Sequence, residues 1–369
     1  MTDWPVKTLG EVCDLVGGGT PSKDRPDFYG GDIPWATVRD LNVEVLCTTE
    51  HSVTPEAIKS SSSNIIPAGS VVIATRVGLG KAVVVAQDTA INQDLRGLVV
   101  KNPKEVLADY LFWWYLSTAR LVVAAGTGAT VQGVKLPFVS GLGIPVPPLA
   151  EQKRIVELLN AATARITELT ACYEQARTHA NNLFTSALRD ALESNPDWPV
   201  KTLGQILVLS YGKPLEAKDR DDKGSVPVYG ANGVKSYSKK SLVAGPSIIV
   251  GRKGSAGELN FCDGPFWPLD VTYYVEHEEK ETDLSFLHYL LSLMDLPSLA
   301  KGVKPGINRN DVYALQATVP PLAEQKKIVA RLDLMRAKTS EMVAAYEEKL
   351  TAAKNLRQSI LESAFAGEL

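Results

Sequence analysis

The string Asp3-Trp4-Pro5-Val6-Lys7-Thr8-Leu9-Gly10 recurs letter for letter 194 residues on, as Asp197-Trp198-Pro199-Val200-Lys201-Thr202-Leu203-Gly204. A second string, Val146-Pro147-Pro148-Leu149-Ala150-Glu151-Gln152-Lys153, returns as Val319-Pro320-Pro321-Leu322-Ala323-Glu324-Gln325-Lys326, but at an offset of 173. Identical strings at unequal offsets require two copies of one unit, the second 21 residues shorter between its framing strings. Between the frames the copies diverge, although Ser70-Val71-Val72-Ile73 still aligns with Ser247-Ile248-Ile249-Val250, and Tyr110-Leu111-Phe112-Trp113-Trp114 with Phe286-Leu287-His288-Tyr289-Leu290. A kept frame with changed filling suits a duplicated scaffold whose copies do the same kind of job on different targets.

Within each copy, short β-type runs such as Val71-Val72-Ile73-Ala74, Ala82-Val83-Val84-Val85-Ala86 and Ser247-Ile248-Ile249-Val250 are punctuated by Gly17-Gly18-Gly19-Thr20-Pro21, Gly30-Gly31 and Asn232-Gly233. Each half is therefore expected to be a mixed α/β (α+β) domain. After each Pro-Pro-Leu-Ala-Glu-Gln comes a stretch of about 45 residues rich in Ala, Leu, Glu, Gln, Lys and Arg, which predicts one long helix per half. The prolines suit a first turn, and Glu151 and Glu324 lie near the positive end of the helix dipole. Ser194-Asn195-Pro196 is expected to stop the first helix. The expected segments are a domain over 1–148, a long helix over 149–195, a domain over 196–321 and a long helix over 322–369.

Counting from Ile155 in alternate steps of four and three gives Leu159, Ala162, Ile166, Leu169, Tyr173, Ala176, Ala180, Leu183 and Ala187, the seam of a coiled coil. The same register in the second helix gives Ile328, Leu332, Met335, Thr339, Met342, Tyr346, Lys349, Ala353, Leu356 and Ile360, with Thr339 and Lys349 as interruptions. Two matched seams predict that the helices pack on each other as an antiparallel coiled coil separating the two domains. The seam from 155 to 187 would be about 50 Å long at roughly 1.5 Å per residue. One turn of B-DNA rises about 34 Å, so such helices could act as a ruler between two half-sites.

The net charge of −3 argues against a chain that holds nucleic acid by overall charge, and requires basic residues gathered on one face or supplied by a partner. With 45% hydrophobic and 22% charged residues the chain is an ordinary globular composition. No basic-then-apolar start and no bilayer-length apolar run occurs, so a cytoplasmic protein without membrane association is expected. Cys13, Cys47, Cys172 and Cys262 lack CxxC spacing, and neither a disulfide framework nor a metal site is suggested.

The Gly17-Gly18-Gly19-Thr20-Pro21-Ser22 loop lacks the GK[ST] ending of a phosphate loop and is better explained as a turn. No GxSxG, HExxH or Asn-Pro-Pro-Tyr string occurs, so no catalytic site is expected. What recurs is a strand followed by arginine and glycines, Arg76-Val77-Gly78-Leu79-Gly80-Lys81 and Arg252-Lys253-Gly254-Ser255-Ala256-Gly257. Glycines allow close approach of backbone to a surface, and arginine can pair bidentately with guanine or with phosphate. The candidate DNA-binding residues there are Arg76, Lys81, Arg252 and Lys253. Lys23 and Arg25 in the first half and Lys213, Lys218 and Arg220 in the second lie in polar loops. Gln132 and Lys135 of Thr127-Gly128-Ala129-Thr130-Val131-Gln132-Gly133-Val134-Lys135, and Lys304, Asn308 and Arg309 of the equivalent stretch from Lys301 to Asn310, complete the set.

These residues resemble the specificity subunits of type I restriction-modification systems. The resemblance is carried by the Trp-Pro-Val-Lys-Thr-Leu-Gly openings, Gly18-Gly19-Thr20-Pro21-Ser22 with Tyr29-Gly30-Gly31-Asp32-Ile33-Pro34-Trp35, the two Pro-Pro-Leu-Ala-Glu-Gln strings and Ala364-Phe365-Ala366-Gly367-Glu368-Leu369. It implies two tandem target-recognition domains separated by two long helices and a non-catalytic chain bound to double-stranded DNA. It also implies two methyltransferase subunits and restriction/translocase subunits as partners, with S-adenosylmethionine, ATP and Mg on those partners and no cofactor on this chain. The second copy departs from the pattern, Tyr211-Gly212-Lys213-Pro214 replacing the Gly-Gly-Thr-Pro-Ser loop. A protein-binding scaffold with a coiled-coil spacer is the alternative, and a related type II system with a separate specificity chain stays open.

Overall fold

The computed structural model describes residues 4–128, 132–193, 195–221 and 223–368. Two compact units follow: Met1–Tyr173 with Glu348–Leu369, and Glu174–Glu347. Ser194, expected at the end of the first helix, lies outside the described residues.

In the first unit, a five-stranded sheet has the order Cys13–Gly17, Leu95–Val100, Val71–Ala74, Ala82–Val85, Val45–Leu46, antiparallel except for the last pair. Its centre is the run Val71-Val72-Ile73-Ala74, fully buried on both faces. A four-stranded sheet is ordered His51–Val53, Tyr29–Ala36, Thr89–Ile91, Ile65–Ile66. The helix Ala108–Ser117 has six consecutive buried residues, Tyr110 to Tyr115. A helix apolar on every side needs cover on every side. Val71, Ile73 and Leu98 of the sheet share its cluster, as do Ile155 and Leu159 of the first long helix and Leu361 and Ala364 of the second.

The second unit repeats this plan. Val208–Tyr211, Thr272–Glu276, Ser247–Gly251 and Leu259–Cys262 form an antiparallel sheet. The helix Leu284–Leu293 packs over it, sharing a cluster with Leu188 and Leu192 of the first long helix and Ile328 and Leu332 of the second. A second, three-stranded sheet holds Gly233–Ser238, Val226–Gly230 and Trp267–Pro268.

The repeated strings meet in space. Val6–Thr8 pairs antiparallel with Gly143–Pro145, and Val200–Thr202 with Gln316–Thr318, so each opening string closes against the strand that precedes its Pro-Pro-Leu-Ala-Glu-Gln. Thr8 and Thr202 then head a capping box, their amides donating to Glu11 and Gln205 side chains at 2.6 and 2.7 Å. The glutamines of the strings are fully buried. Gln152 accepts the Leu107 amide and donates to the carbonyls of Glu105 and Pro147; Gln325 accepts the Asp283 amide and donates to those of Glu281 and Pro320. This bond set ties each long helix to the loop before the buried helix of its unit.

The long helices span Leu149–Glu193 and Leu322–Ala366. Within the first unit, Ile155 and Leu159 lie with Leu361 and Ala364, while further along Tyr173 lies under the Lys349 ammonium, 5.4 Å from ring centre, so the two segments run antiparallel. Within the second unit, Leu188 and Leu192 lie with Ile328 and Leu332, whereas Phe184 and Asn181 line a groove with Arg336, Thr339 and Val343, again antiparallel.

The seam itself needs a correction. One expected row holds: Leu159, Ile166, Ala180, Leu332, Thr339 and Ala353 are buried, with Tyr173, Tyr346 and Ile360 half-buried. In the other row Ile155 and Ile328 are buried near the helix starts, but further along Leu169, Leu183, Met342 and Leu356 are exposed, and Lys349 is exposed too. The inward positions are one residue later: Thr170, Phe184, Val343, Leu350 and Arg357. The physical reason is that adjacent residues often offer an apolar choice on either side of a heptad row. The later row buries Leu350 where the earlier one would bury the Lys349 ammonium, an expensive desolvation. Thr339 is no interruption, since its hydroxyl donates to the Met335 carbonyl at 3.0 Å and leaves a methyl for packing.

Candidate nucleic-acid interface

In the first unit, the loop from Thr75 to Lys81 joins the central strand to Ala82–Val85. It turns through positive φ at Val77, Gly78 and Gly80, with values of 51°, 73° and 84°. Glycine adopts this region without steric cost; valine does not, so Val77 needs bracing. The bracing comes from a segment some 55 residues on: the Val77 amide donates to the Gln132 carbonyl at 3.1 Å and the Val134 amide to the Thr75 carbonyl at 2.9 Å. Arg76 forms a backbone bridge with Gly133. The fold therefore brings together the candidate regions of Arg76, Gln132 and Lys135. The centre of the second string, 129–131, lies outside the described residues.

The Arg76 guanidinium is 3.7 Å from the Asp94 carboxylate, and Lys81 donates to the Asn42 side chain at 2.6 Å. Lys23 lines a cleft of about 680 Å³ together with Tyr29, Trp35, Arg39, His51, Val77 and Asp94. Sequence reasoning missed Arg39, whose side chain is four-fifths exposed at the cleft, and His51. Trp35, which lines the same cleft, donates its indole N–H to the Gly19 carbonyl at 3.2 Å and so ties the glycine loop to the strand that carries it. Arg25 is occupied. It grips Asp27 through two hydrogen bonds at 2.8 and 2.6 Å and lies 4.3 Å from the Phe28 ring centre. That pairing lowers the Asp27 pKa and raises that of Arg25.

The second unit builds the same junction. The Gly254 amide donates to the Pro305 carbonyl, the Ile307 amide to the Arg252 carbonyl, both at 3.0 Å, and Lys253 forms the backbone bridge with Gly306. The backbone counterpart of Arg76 is thus Lys253, and that of Arg252 is Thr75, which corrects the matching of the two arginines. The Arg-plus-glycine lettering of the two loops pairs Arg76 with Arg252, but the strands before them set a register one residue away from that lettering.

Arg252 stacks on Tyr211 and Tyr273, 4.9 and 5.8 Å from their ring centres, and donates from Nη1 to the Asp270 carbonyl at 3.0 Å. Arg309 also lies over Tyr211, at 5.2 Å. Tyr211 is 45% exposed, while Tyr273 is buried, donates to the Ile307 carbonyl at 3.2 Å and has its pKa raised by burial. Tyr211 was passed over as a site residue; its signal was the departure of Tyr211-Gly212-Lys213-Pro214 from the glycine loop of the first copy. Asn308 caps the short helix Arg309–Tyr313 through its side chain, accepting the Asn310 amide at 2.9 Å. Lys218 pairs with Glu216 at 2.6 Å, Arg220 bridges the backbone of Ser238, and Lys213 and Lys304 are exposed in loops. The fold gathers Arg252, Lys253, Lys304, Asn308 and Arg309 at one junction; Lys213 adjoins it through Gly212, whose amide donates to the Thr272 carbonyl.

Superposing the register of the two sheets gives the contrast between copies. Gly18 and Gly212 are equivalent: an added Cβ would lie 2.0 Å from the Asn92 carbonyl oxygen in one and 2.1 Å from that of Leu269 in the other. Tyr211 therefore corresponds to Gly17, Arg252 to Thr75, Arg309 to Leu136 and Tyr273 to Arg96. The backbone is held constant while the neutral Gly17, Thr75 and Leu136 give way to Tyr211, Arg252 and Arg309, and Arg96 gives way to Tyr273. Among the described residues there is no cluster of three or more His, Cys, Asp or Glu suited to a metal, and no helix long and apolar enough to cross a membrane.

The family described as type I restriction modification DNA specificity domain matches residues 1–176 and 195–352. The chain is 25% identical over 368 residues to the type I restriction enzyme EcoprrI specificity subunit of Escherichia coli, covering 94% of this chain and 91% of the relative. It is 22% identical to the MjaIX specificity subunit of Methanocaldococcus jannaschii, covering 100% and 94%. In fold it is similar to a chain solved in a study of complex assembly and conformational transition of the type I R-M system, with a TM-score of 0.82, 21% identity and coverage of 99% and 98%. The HsdS subunit from Thermoanaerobacter tengcongensis aligns with a TM-score of 0.60 at 19% identity, covering 100% and 98%. A family match that falls once on each copy, with relatives aligned end to end, agrees with the two repeated frames, and the chain belongs to the type I restriction-modification DNA specificity family.

Proposed function

We propose that this chain is the specificity subunit of a type I restriction-modification complex, recognising a double-stranded DNA target of two different half-sites separated by a fixed gap. The observation that carries this reading is the pair of junctions with matched backbone and unmatched side chains: Gly17, Thr75 and Leu136 in one copy, Tyr211, Arg252 and Arg309 in the other. Matched junctions bearing different groups are what two half-sites of different sequence require, because base edges are distinguished by side-chain donors and acceptors.

The chain itself is non-catalytic in this reading and holds no cofactor. Two methyltransferase subunits supply the S-adenosylmethionine chemistry, and restriction/translocase subunits supply the ATP- and Mg-dependent steps, all in the cytoplasm. The net charge of −3, which argues against binding by overall charge, is offset in this reading by partner subunits that provide much of the phosphate contact. The test is methylome sequencing of cells with and without the gene. A bipartite methylated motif that disappears on deletion is expected; a motif that persists unchanged sinks the reading.

A further inference from the structure

The cluster of Tyr211, Arg252 and Arg309 asks for an explanation beyond folding. Among the described residues, neither guanidinium has a carboxylate partner within ion-pair distance, whereas Lys301, in the loop that bridges to Gly306, pairs with Asp311, and Lys218 and Lys240 of the same unit pair with Glu216 and Asp219. Two like charges held against one tyrosine ring, without a counter-ion, are an arrangement that an electron-rich acceptor relieves. The ring stacking and the bond from Arg252 to the Asp270 carbonyl restrict the planes of the side chains before any ligand arrives. A preset planar fork suits a planar pair of acceptors better than it suits a point charge.

Comparison of the copies separates base reading from backbone anchoring. Anchoring on phosphates is needed equally by both halves, whereas base identity is what differs between half-sites. The equivalent positions in the first unit, Gly17, Thr75 and Leu136, carry no charge, and Arg96, in the place of Tyr273, is pinned by its Nη1 to the carbonyls of Leu95 and Gln93. Among the described residues, the charged, aromatic-backed fork at these positions therefore exists in one copy alone.

Resting on the specificity-subunit reading above, we propose that Tyr211, Arg252 and Arg309 form a guanine reader for one half-site, the tyrosine ring holding a guanidinium that donates bidentately to O6 and N7 of the base edge. Tyr211 is a positioning residue here, and the arginines are the base-contacting ones.

The experiment is methylome sequencing of cells whose methyltransferase complex carries Arg252→Lys, Arg309→Lys, Tyr211→Phe or Tyr211→Leu in place of the wild-type chain. Lysine keeps the charge and can still meet a phosphate, but cannot make the bidentate contact. At least one lysine variant is expected to relax a single guanine position of one half-site, lowering its preference about tenfold to a hundredfold, with the gap and the other half-site unchanged. Tyr211→Phe should leave the motif intact, and Tyr211→Leu should relax the same position. The assignment is overturned by a wild-type motif with no guanine in either half-site, or by lysine variants that both retain the wild-type motif. It is also overturned if methylation falls equally at all sites without a change in base frequencies, the signature of backbone anchoring. Wild-type cells that show no bipartite motif at all overturn the specificity reading itself, and this assignment with it.

Discussion

The buried side-chain oxygen of Gln152 accepts the backbone amide of Leu107 at 2.9 Å, while its amide group donates to the carbonyls of Glu105 and Pro147 at 2.7 and 2.9 Å. One side chain thus satisfies three backbone groups at the root of a 45-residue helix. Replacing it with leucine would leave those groups buried without partners, at a cost of about 1–3 kcal/mol for each group that water does not reach. Gln152→Leu and Gln325→Leu are each expected to lower unfolding stability by at least about 2 kcal/mol on that basis. Denaturant titration checks this, and wild-type midpoints in both variants would contradict it.

The corrected helical register separates leucines that the heptad count treats alike. Leu159, fully buried, should cost about 2–5 kcal/mol when cut to alanine. Leu169→Ala and Leu356→Ala, at positions about half exposed, should stay within about 0.5 kcal/mol of wild type. Leu350→Ala should behave like Leu159→Ala. Thermal unfolding of the four variants decides between the two registers.

His288 has its pKa lowered from 6.5 by burial and by the nearby Arg336 charge. The unfolded chain therefore binds a proton that the folded one resists, and this histidine's contribution to stability is present above pH 6.5 and is lost as pH falls below it. His288→Phe, which installs the residue found at the equivalent Phe112, should flatten the fall in stability between about pH 6.5 and 5. Unfolding midpoints measured across that range give the answer. An unchanged pH slope would show that the histidine does not set it.

Deleting one heptad from each long helix shortens each by roughly 10 Å, the rise of seven helical residues. If the helices set the gap of the target, the preferred gap in the methylated motif should change by about three base pairs. A complex that keeps the original gap would refute the ruler.

Much of the architecture was legible because it is written in local patterns. The opening strings repeat because they close the same two-stranded ladder, Val6–Thr8 on Gly143–Pro145 and Val200–Thr202 on Gln316–Thr318, and the Pro-Pro-Leu-Ala-Glu-Gln strings repeat because each carries the glutamine that locks the helix root. The long helices followed from composition and from the absence of glycine and proline. The DNA-facing candidates were only partly legible. Charge and glycine content find loops, but they cannot tell Arg25, engaged by Asp27, from Arg252, which has no carboxylate partner among the described residues.

The duplication, the two helices and the divergence between the copies were determined by the sequence itself, since each depends on residue identity along a continuous stretch. The inward row of each helix was decided only in three dimensions, where the choice between Lys349 and Leu350 turns on which one loses water. The meeting of Arg76 with Gly133, and of Tyr211 with Arg252 and Arg309, was likewise decided by tertiary structure. Those residues stand tens of positions apart, and nothing local in the chain encodes the strand register that brings them into contact.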